Sequence, residues 1–392
     1  MPGPTSRRPF SSPALLKFAA VSDAFAYFGG NIHAVSICTP KTATLSVARE
    51  VIQIATSYGN DEPKLLGILM EKPPGENVDD LKQTIHYGRS HGISMFTACH
   101  TTMCPARKII DSWLFKDADI ANTTGSGRNQ TNTAKNSLCR RRLDSIHIIW
   151  KENVRKWHPG QAWLSKERGG GVTDMLFNPI SLIVSLFSLS FSSLLPATTS
   201  TDLDLNGVSN IRLIKANLIR PCNWEAPISG SAELLMTVPL LKNDSTTGGA
   251  AVDVLEVPIV ADFAFDYEPS FGDDDDCKNE EIWTIEFIES ISKSNDGSNL
   301  CPSLILKDGG AQAYIGSKKV TMEPTTEYPL RPEYEALYDQ FLDILWENSG
   351  HRHRSRSMEE EEVPSIVDCT TLAILDEIVK LGSCDVGPRY EF

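Results

Sequence analysis

Short apolar runs alternate with helix-like segments along the first quarter of the chain. Residues 65–70 form a short apolar run followed by turn-forming residues, which is typical of a buried parallel strand. The predicted strands are 31–40, 65–70 and 94–99, and the predicted helices between them are 41–58 and 78–90. Residues 41–58 repeat apolar residues at helical spacing. Strands and helices that alternate at these lengths predict right-handed βαβ units and a parallel sheet.

The second half of the chain has a different pattern, in which one long apolar segment is followed by many strand-like runs. The predicted strands of this half are 146–150, 211–218, 233–241, 256–265, 282–287, 303–306 and 311–315. Helices are predicted at 333–346 and 365–381. This dense series of strands predicts an α+β domain with a largely antiparallel sheet.

The composition of the chain changes at several points that we interpret as domain boundaries. Residues 117–142 are rich in Asn, Thr, Ser and Gly, which predicts a flexible insertion. The predicted units are a first domain at 1–116, the insertion at 117–142, a second domain at 143–350, a polar loop at 351–364 and a C-terminal helix at 365–392 that packs back on the core.

Overall charge and cysteine usage exclude some classes of protein. The chain has 392 residues and a formal net charge of -14, which argues against nucleic-acid binding because phosphate contacts need a basic face. Its 9 cysteines are scattered and include no CxxC pair, so neither a zinc site nor a disulfide framework is indicated. We expect reduced thiols, no metal and a cytoplasmic protein.

Two segments resemble targeting or membrane signals. Residues 1–18 are basic and contain no acidic residue, a weak indication of an organelle transit peptide. Residues 175–196 are apolar enough to suggest a membrane span, but Asn178, Pro179 and several serines would be costly in lipid. We therefore expect a buried helix of the second domain and no membrane association.

A lysine stands directly after the predicted strand 65–70, in the segment Glu71-Lys72-Pro73-Pro74-Gly75. Open α/β sheets bind ligands in the crevice beyond the carboxyl ends of their strands, and the two prolines stiffen the exit of this one. Taken alone, these residues fit an ordinary surface lysine equally well.

Two further motifs follow at 150–161, Trp-Lys-Glu-Asn-Val-Arg-Lys-Trp-His-Pro-Gly-Gln, and at 169–179, Gly-Gly-Gly-Val-Thr-Asp-Met-Leu-Phe-Asn-Pro. Together with the Glu-Lys-Pro-Pro-Gly segment, they resemble the Gfo/Idh/MocA oxidoreductase family, and within it the D-galactose and L-arabinose 1-dehydrogenases. The resemblance extends from about residue 31 to the C-terminus. It implies a Rossmann-type first domain, a sugar-binding second domain and an NAD or NADP cofactor.

The chain departs from the family at its beginning. Family members start with a strand and a G-x-G-x-x-G loop, whose amides hold the cofactor pyrophosphate, but nothing before Asn31 has that spacing. We interpret residues 14–23 as the second strand of the family fold, with Ser22 and Asp23 near the adenosine ribose. The expected first domain is therefore a truncated Rossmann-type domain.

Oxidation of a sugar at C1 removes a hydride from carbon and a proton from the anomeric hydroxyl. The hydride requires a nicotinamide and the proton requires a base. Asp174 and Asn178 are four residues apart and would share one face of a helix. From the residues alone Asp174 fits a helix cap better, whereas the resemblance implies that Asp174, Asn178 and Lys72 form the catalytic site.

The resemblance also implies roles for other residues. Lys72 would polarise the hydroxyl, and Asp174 would take the proton either directly or through Lys72. The expected substrate-binding residues are Glu152, Trp157, His158 and His100, and the expected cofactor-binding residues are Glu71, Lys72 and Pro73. Trp157 also fits a core residue and His158 a buried structural imidazole, while His100 stands in a Cys-His-Thr context where relatives have Trp-His-Ser.

The expected function is NAD(P)-dependent oxidation of a galactose- or arabinose-like aldose to its aldonolactone. Two alternatives stay open at this point. One is a catalytically impaired homologue that binds a sugar or a partner protein, and the other is an interaction protein with an acidic tail. The expected ligand is a small sugar, and self-association into a homo-oligomer stays open.

Overall fold

The computed structural model describes residues 16–58, 65–115, 141–166, 170–192, 210–243, 250–265, 281–289, 303–322, 331–348 and 358–390. The predicted insertion at 117–142 lies outside these residues, except for its last two positions.

A three-stranded parallel sheet forms the first part of the fold. Its strands are β1 (Ala34–Ile37), β2 (Gly67–Met70) and β3 (Ser94–Thr97), hydrogen-bonded in the order β1-β2-β3. Helix α2 (Lys41–Tyr58) connects the first pair and α3 (Val78–Ser90) the second. The residues buried along α2 recur every three or four positions, so one apolar stripe of this helix packs on the sheet.

The segment before β1 is a helix, so the interpretation of residues 14–23 as a strand is wrong. Helix α1 (Val21–Tyr27) includes Ser22 and Asp23, and its Phe25 is buried in the core of the small sheet. Asp23 lies in the first turn, where a negative charge interacts favourably with the helix dipole. The buried ring of Phe25, with the partly buried Val21, attaches this helix to the core without strand pairing.

Helix α4 (Arg107–Phe115), which the sequence did not predict, follows β3 and a short 3-10 helix at His100–Met103. It buries Ile110, Trp113 and Leu114 in the core of the second part of the fold.

A nine-stranded sheet forms the second part of the fold, in the order β11-β10-β9-β8-β4-β7-β6-β5-β12. β4–β7 and β5–β12 are parallel pairs, whereas the other neighbours are antiparallel. The strands are β4 (Leu143–Glu152), β5 (Ile211–Pro221), β6 (Ser229–Asn243), β7 (Ala250–Phe265), β8 (Ile282–Glu289), β9 (Leu304–Lys307), β10 (Gln312–Ile315), β11 (Lys318–Lys319) and β12 (Ser383–Gly387). The predicted fold class, a parallel-sheet α/β unit followed by an α+β unit with a largely antiparallel sheet, is confirmed.

Helix α5 (Val154–Trp157) follows β4, and α6 (Val172–Ser192) then runs through the core beside the large sheet. Every described side chain of α6 from Val172 to Phe187 is buried, which confirms the predicted buried helix. Among the described residues, no helix is both long and apolar enough to cross a membrane.

Two helices close the fold, α7 (Arg331–Asn348) and α8 (Met358–Leu381). Helix α8 begins inside the segment predicted as a polar loop, since an acidic run favours a helix N-terminus. Its Cys369 and Leu372 pack in the core of the small sheet, whereas Leu375 and Ile378 pack in the core of the large sheet. One helix thus belongs to both cores.

Candidate active site

A cavity of about 380 Å³ lies between the carboxyl ends of β1 and β2, the start of α6 and the end of β4. Most residues predicted for the site line this cavity, namely Glu71, Lys72, His100, Glu152, Trp157, His158, Asp174 and Asn178. Pro73 is buried beside Lys72 and is not part of the lining. Residues far apart in the sequence therefore surround one cleft.

Lys72 and Asp174 are in direct contact. The Lys72 Nζ donates hydrogen bonds to the main-chain oxygen of Asp174 at 3.2 Å and to its Oδ2 at 3.3 Å. Their side chains are only 12% and 3% exposed, so the pair is largely shielded from water. The end of β2 and the first turn of α6 place these two groups opposite each other.

The electrostatics of the cavity keep Lys72 charged. Burial alone would lower the pKa of its amine, because a charge is poorly solvated inside a protein. The carboxylates of Asp174, Glu152 and Glu71, together with the hydrogen bond to Asp174, outweigh burial and raise the pKa above its ordinary value. At neutral pH the amine is therefore a permanent hydrogen-bond donor.

Two glycines allow the first turn of α6 to approach the cavity. Gly170 and Gly171 both have positive φ, at 130° and 45°. A Cβ on Gly171 would collide with the Pro227 carbonyl oxygen, which accepts a hydrogen bond from the Val172 amide at 3.0 Å. Asp174 lies inside α6, and its carboxylate contacts Lys72 and His158, so its contacts go beyond those of a plain cap.

His158 lies between two carboxylates. Its Nε2 is 3.4 Å from Asp174 Oδ2 and 3.8 Å from Glu152 Oε2, while its Nδ1 is 3.3 Å from Gln161 Oε1. Burial acts to lower the pKa of His158, but the nearby carboxylates of Glu152 and Asp174 outweigh it and raise the pKa. The Trp150 Nε1 donates to Glu152 Oε1 at 2.7 Å and fixes that carboxylate.

Tryptophans form one wall of the cavity. Trp150 and Trp283 stack with ring centroids 5.9 Å apart and planes inclined by 14°, and Trp157 lies 5.4 Å from Trp283. Trp157 is 36% exposed and donates from Nε1 to Glu281, so it is not a core residue. Such a wall offers apolar ring faces next to polar groups.

Five buried polar atoms at the cavity have no hydrogen-bond partner in the part of the chain that the structure describes, and two of them lie on residues predicted for the site. These two atoms are Nδ1 of His100 and Oδ1 of Asn178. His100 stacks on Tyr334 with centroids 5.0 Å apart, and burial together with the charge of Lys72 lowers its pKa to about 4. His100 is therefore neutral at physiological pH, and both atoms are available to a ligand.

The structure adds site residues that the sequence did not reveal. Lys41 at the start of α2 lines the cavity and donates from Nζ to Thr173 Oγ1 at 3.3 Å, and burial lowers its pKa. Lys41 directly follows the predicted strand 31–40, as Lys72 follows the strand 65–70 by one residue, so its place at the end of a strand was a signal in the sequence. Glu333, Tyr334 and Trp283 also line the cavity, and no signal in the sequence indicated them.

Comparisons with known proteins agree with the sequence motifs. No family model matches the chain. A galactose 1-dehydrogenase from Pseudomonas fluorescens is 26% identical over 322 residues, which cover 82% of this chain and 73% of the relative. This likeness supports the resemblance to the Gfo/Idh/MocA oxidoreductases.

Two solved structures show the same fold. The D-galactose-1-dehydrogenase from Rhizobium etli matches with a TM-score of 0.56 at 20% identity, covering 95% of this chain and 84% of that chain. The 3-ketoreductase KijD10 from Actinomadura kijaniata, in complex with NADP and TDP-benzene, matches with a TM-score of 0.55 at 10% identity, covering 93% and 83%. The chain therefore shares its fold with both of these solved structures.

Proposed function

We propose that the protein is an NAD(P)-dependent oxidoreductase that oxidises the anomeric carbon of an aldose to the aldonolactone. The contact between Lys72 and Asp174 carries this proposal, because it joins a charged donor and a carboxylate inside a shielded cleft. The likeness to a galactose 1-dehydrogenase supports the choice of reaction and of a galactose-like substrate.

In this proposal Asp174 is the base and Lys72 orients the reacting hydroxyl. The raised pKa of Lys72 keeps its amine protonated, so the amine donates a hydrogen bond to the anomeric oxygen and does not accept a proton. The carboxylate of Asp174 takes the hydroxyl proton as the C1–O bond gains double-bond character. Nicotinamide, when bound, supplies the acceptor for the hydride that leaves C1.

The lining of the cavity fits the nicotinamide end of such a cofactor. It reaches the carboxyl ends of both β1 and β2, where open α/β sheets bind ligands, and its volume is within the usual range of ligand pockets, roughly 300–1,000 Å³. We assign Cys38, Thr39 and Glu71 to cofactor contacts. Pro73, outside the lining, would fix the backbone at Lys72 instead of contacting the cofactor.

The remaining cavity residues suit a sugar. The unpaired atoms of His100 and Asn178 and the carboxylate of Glu152 would bind hydroxyl groups, because buried polar atoms need hydrogen-bond partners. Trp157 would stack on the apolar face of the pyranose, and His158 would hold Glu152 and Asp174 in place.

The test is oxidation by the purified chain. D-galactose and L-arabinose are each incubated with NAD⁺ and with NADP⁺, and reduced nicotinamide is followed by absorbance while the lactone is identified by mass spectrometry. We expect turnover that Lys72→Met abolishes. Binding of a sugar without oxidation by either cofactor would contradict the proposal and favour a sugar-binding homologue.

A further inference from the structure

Glu333 lies in the first turn of α7, far along the chain from the motifs that identify the site. It lines the same cavity as Lys72 and Asp174, at the side formed by His100 and Tyr334. Its residue exposure is 2%, and its Oε1 is fully buried without a hydrogen-bond partner among the described residues. An unpaired buried carboxyl oxygen is costly, so this group calls for a ligand that pairs with it.

The environment of Glu333 keeps its carboxyl group uncharged. Burial raises its pKa from 4.5 to about 8, so the protonated acid dominates at neutral pH. A protonated carboxyl group both donates and accepts hydrogen bonds, whereas a carboxylate only accepts.

Several other groups titrate or carry charge around this corner of the cavity. The residues that interact electrostatically with Glu333 or with the neighbouring Tyr334 ring are Cys104, Glu71, Lys72 and Tyr338, and Arg107 acts on Cys104. His100 stacks on Tyr334 and is neutral. A pH experiment must therefore distinguish the titration of Glu333 from the titration of these groups. Replacing Glu333 with glutamine, which has nearly the same shape and does not ionise, makes this distinction.

We propose that Glu333 is a substrate-binding residue whose carboxylic acid donates a hydrogen bond to a non-reacting hydroxyl of the neutral aldose. This inference rests on the proposed function, since it needs the sugar to occupy the cavity. The pair of Lys72 and Asp174 holds the anomeric hydroxyl, and Glu333 binds at a second wall of the same cavity. A sugar that lacks the matching hydroxyl leaves the acid unpaired, so Glu333 contributes to specificity.

The first experiment measures binding without turnover. Tryptophan fluorescence reports binding, because Trp150, Trp157 and Trp283 line the cavity. D-galactose and its 2-, 3-, 4- and 6-deoxy analogues are titrated into the wild-type chain, Glu333→Ala and the control Glu335→Gln, an exposed position of the same helix. Thermal melts establish that each variant is folded.

We expect one deoxy analogue to bind the wild-type chain about tenfold more weakly than galactose, and Glu333→Ala to bind galactose about tenfold more weakly. Glu333→Ala should bind that analogue and galactose with equal affinity, because the hydrogen bond that distinguishes the two sugars in the wild-type chain is then absent. Glu335→Gln should behave as the wild-type chain does. If Glu333→Ala lowered the affinity for galactose and for every deoxy analogue by the same factor, the proposal would be overturned.

The second experiment uses pH and the conservative variant Glu333→Gln, whose amide keeps a donor but does not ionise. Galactose affinity of the wild-type chain should fall as pH rises through about 8, and Glu333→Gln should keep its affinity there. An identical pH profile in both proteins would overturn the proposal. Failure to bind galactose at all contradicts this inference and the proposed function together, whereas binding without oxidation contradicts the proposed function alone.

Discussion

Asp174 combines deep burial with an arrangement suited to proton transfer, since its Oδ2 lies near Lys72 Nζ and His158 Nε2. An asparagine at this position has nearly the same shape but cannot accept the proton. Because positioned general-base catalysis contributes roughly 10²- to 10⁴-fold, we predict that Asp174→Asn lowers kcat by a factor in that range. Steady-state kinetics with D-galactose measures the effect.

A matched control for this change is Asp144→Asn, since Asp144 is exposed on β4. We expect this variant to turn over at the wild-type rate. If Asp174→Asn, folded as judged by circular dichroism, retained nearly full kcat, Asp174 would have no part in proton transfer.

Cys38 gives a chemical test of where the cofactor binds. Its side chain is exposed at the end of β1 and lines the cavity. We predict that saturating NAD⁺ or NADP⁺ slows alkylation of Cys38 by iodoacetamide several-fold, because the bound nicotinamide end would cover the thiol. Peptide mass spectrometry measures the rate at each cysteine.

Cys384 on β12 is also exposed and is not part of the cavity lining, so its alkylation should be unaffected. Equal rates at Cys38 with and without either dinucleotide would contradict the placement of the cofactor.

At this scale, the family resemblance of three sequence motifs predicted Lys72, Asp174 and Asn178 as site residues, and all three line the cavity. The residues alone would have favoured a helix cap for Asp174. The motifs could not predict Glu333, whose position depends on how α7 docks on the 3-10 helix at His100–Met103. The unpaired oxygen that identifies Glu333 exists only after tertiary packing.

At the scale of elements, the turn before α6 decides where Asp174 points. We predict that Gly171→Ala destabilises the protein by about 2–5 kcal/mol, the sum of the left-handed backbone and the collision with Pro227. Urea denaturation measures the change in the free energy of unfolding. Activity should fall as well, because the first turn of α6 must shift.

Gly92→Ala is the matched control, since Gly92 also has positive φ but no atom lies within 4 Å of its added Cβ. Its cost should be only the backbone strain, about 1–2 kcal/mol. Equal decreases in the free energy of unfolding of the two variants would show that the close approach at Gly171 contributes nothing to stability.

Local patterns predicted some elements well and others poorly. Helices α2 and α3 match the predicted ranges because an apolar stripe is visible in both. The strand predicted at 14–23 was wrong because a short apolar run does not distinguish a strand from a helix that buries one aromatic residue. Strand β12 was missed because its side chains are mostly exposed and its pairing with β5 is set by the whole fold.

At the scale of the whole molecule, Asp368 connects stability to pH. This residue of α8 is buried, and the Cys99 thiol donates to its Oδ1 at 3.3 Å. Burial raises its pKa from 3.8 to about 6, although the neighbouring Thr97 hydroxyl and Cys99 thiol oppose the shift. Between these values the unfolded chain releases a proton that the folded chain retains, so stability falls as pH rises.

We predict that Asp368→Asn gains stability relative to the wild-type chain as pH rises from about 4 to about 6.5, by on the order of 3 kcal/mol. Thermal melts at a series of pH values measure the difference. Asp339→Asn, at an exposed position of α7, should show no such trend. A constant difference between Asp368→Asn and wild type across this range would mean that Asp368 ionises normally in the folded state.

Helix α8 has a consequence for how the cleft can work. Because Leu372 is anchored in one core and Leu375 in the other, any swinging apart of the two sheets would expose one of these leucines to water. Helix α8 thus holds the two sheets, and with them the walls of the cleft, at a fixed distance from each other. We therefore expect ligands to enter and leave the cleft without a hinge motion between the two sheets.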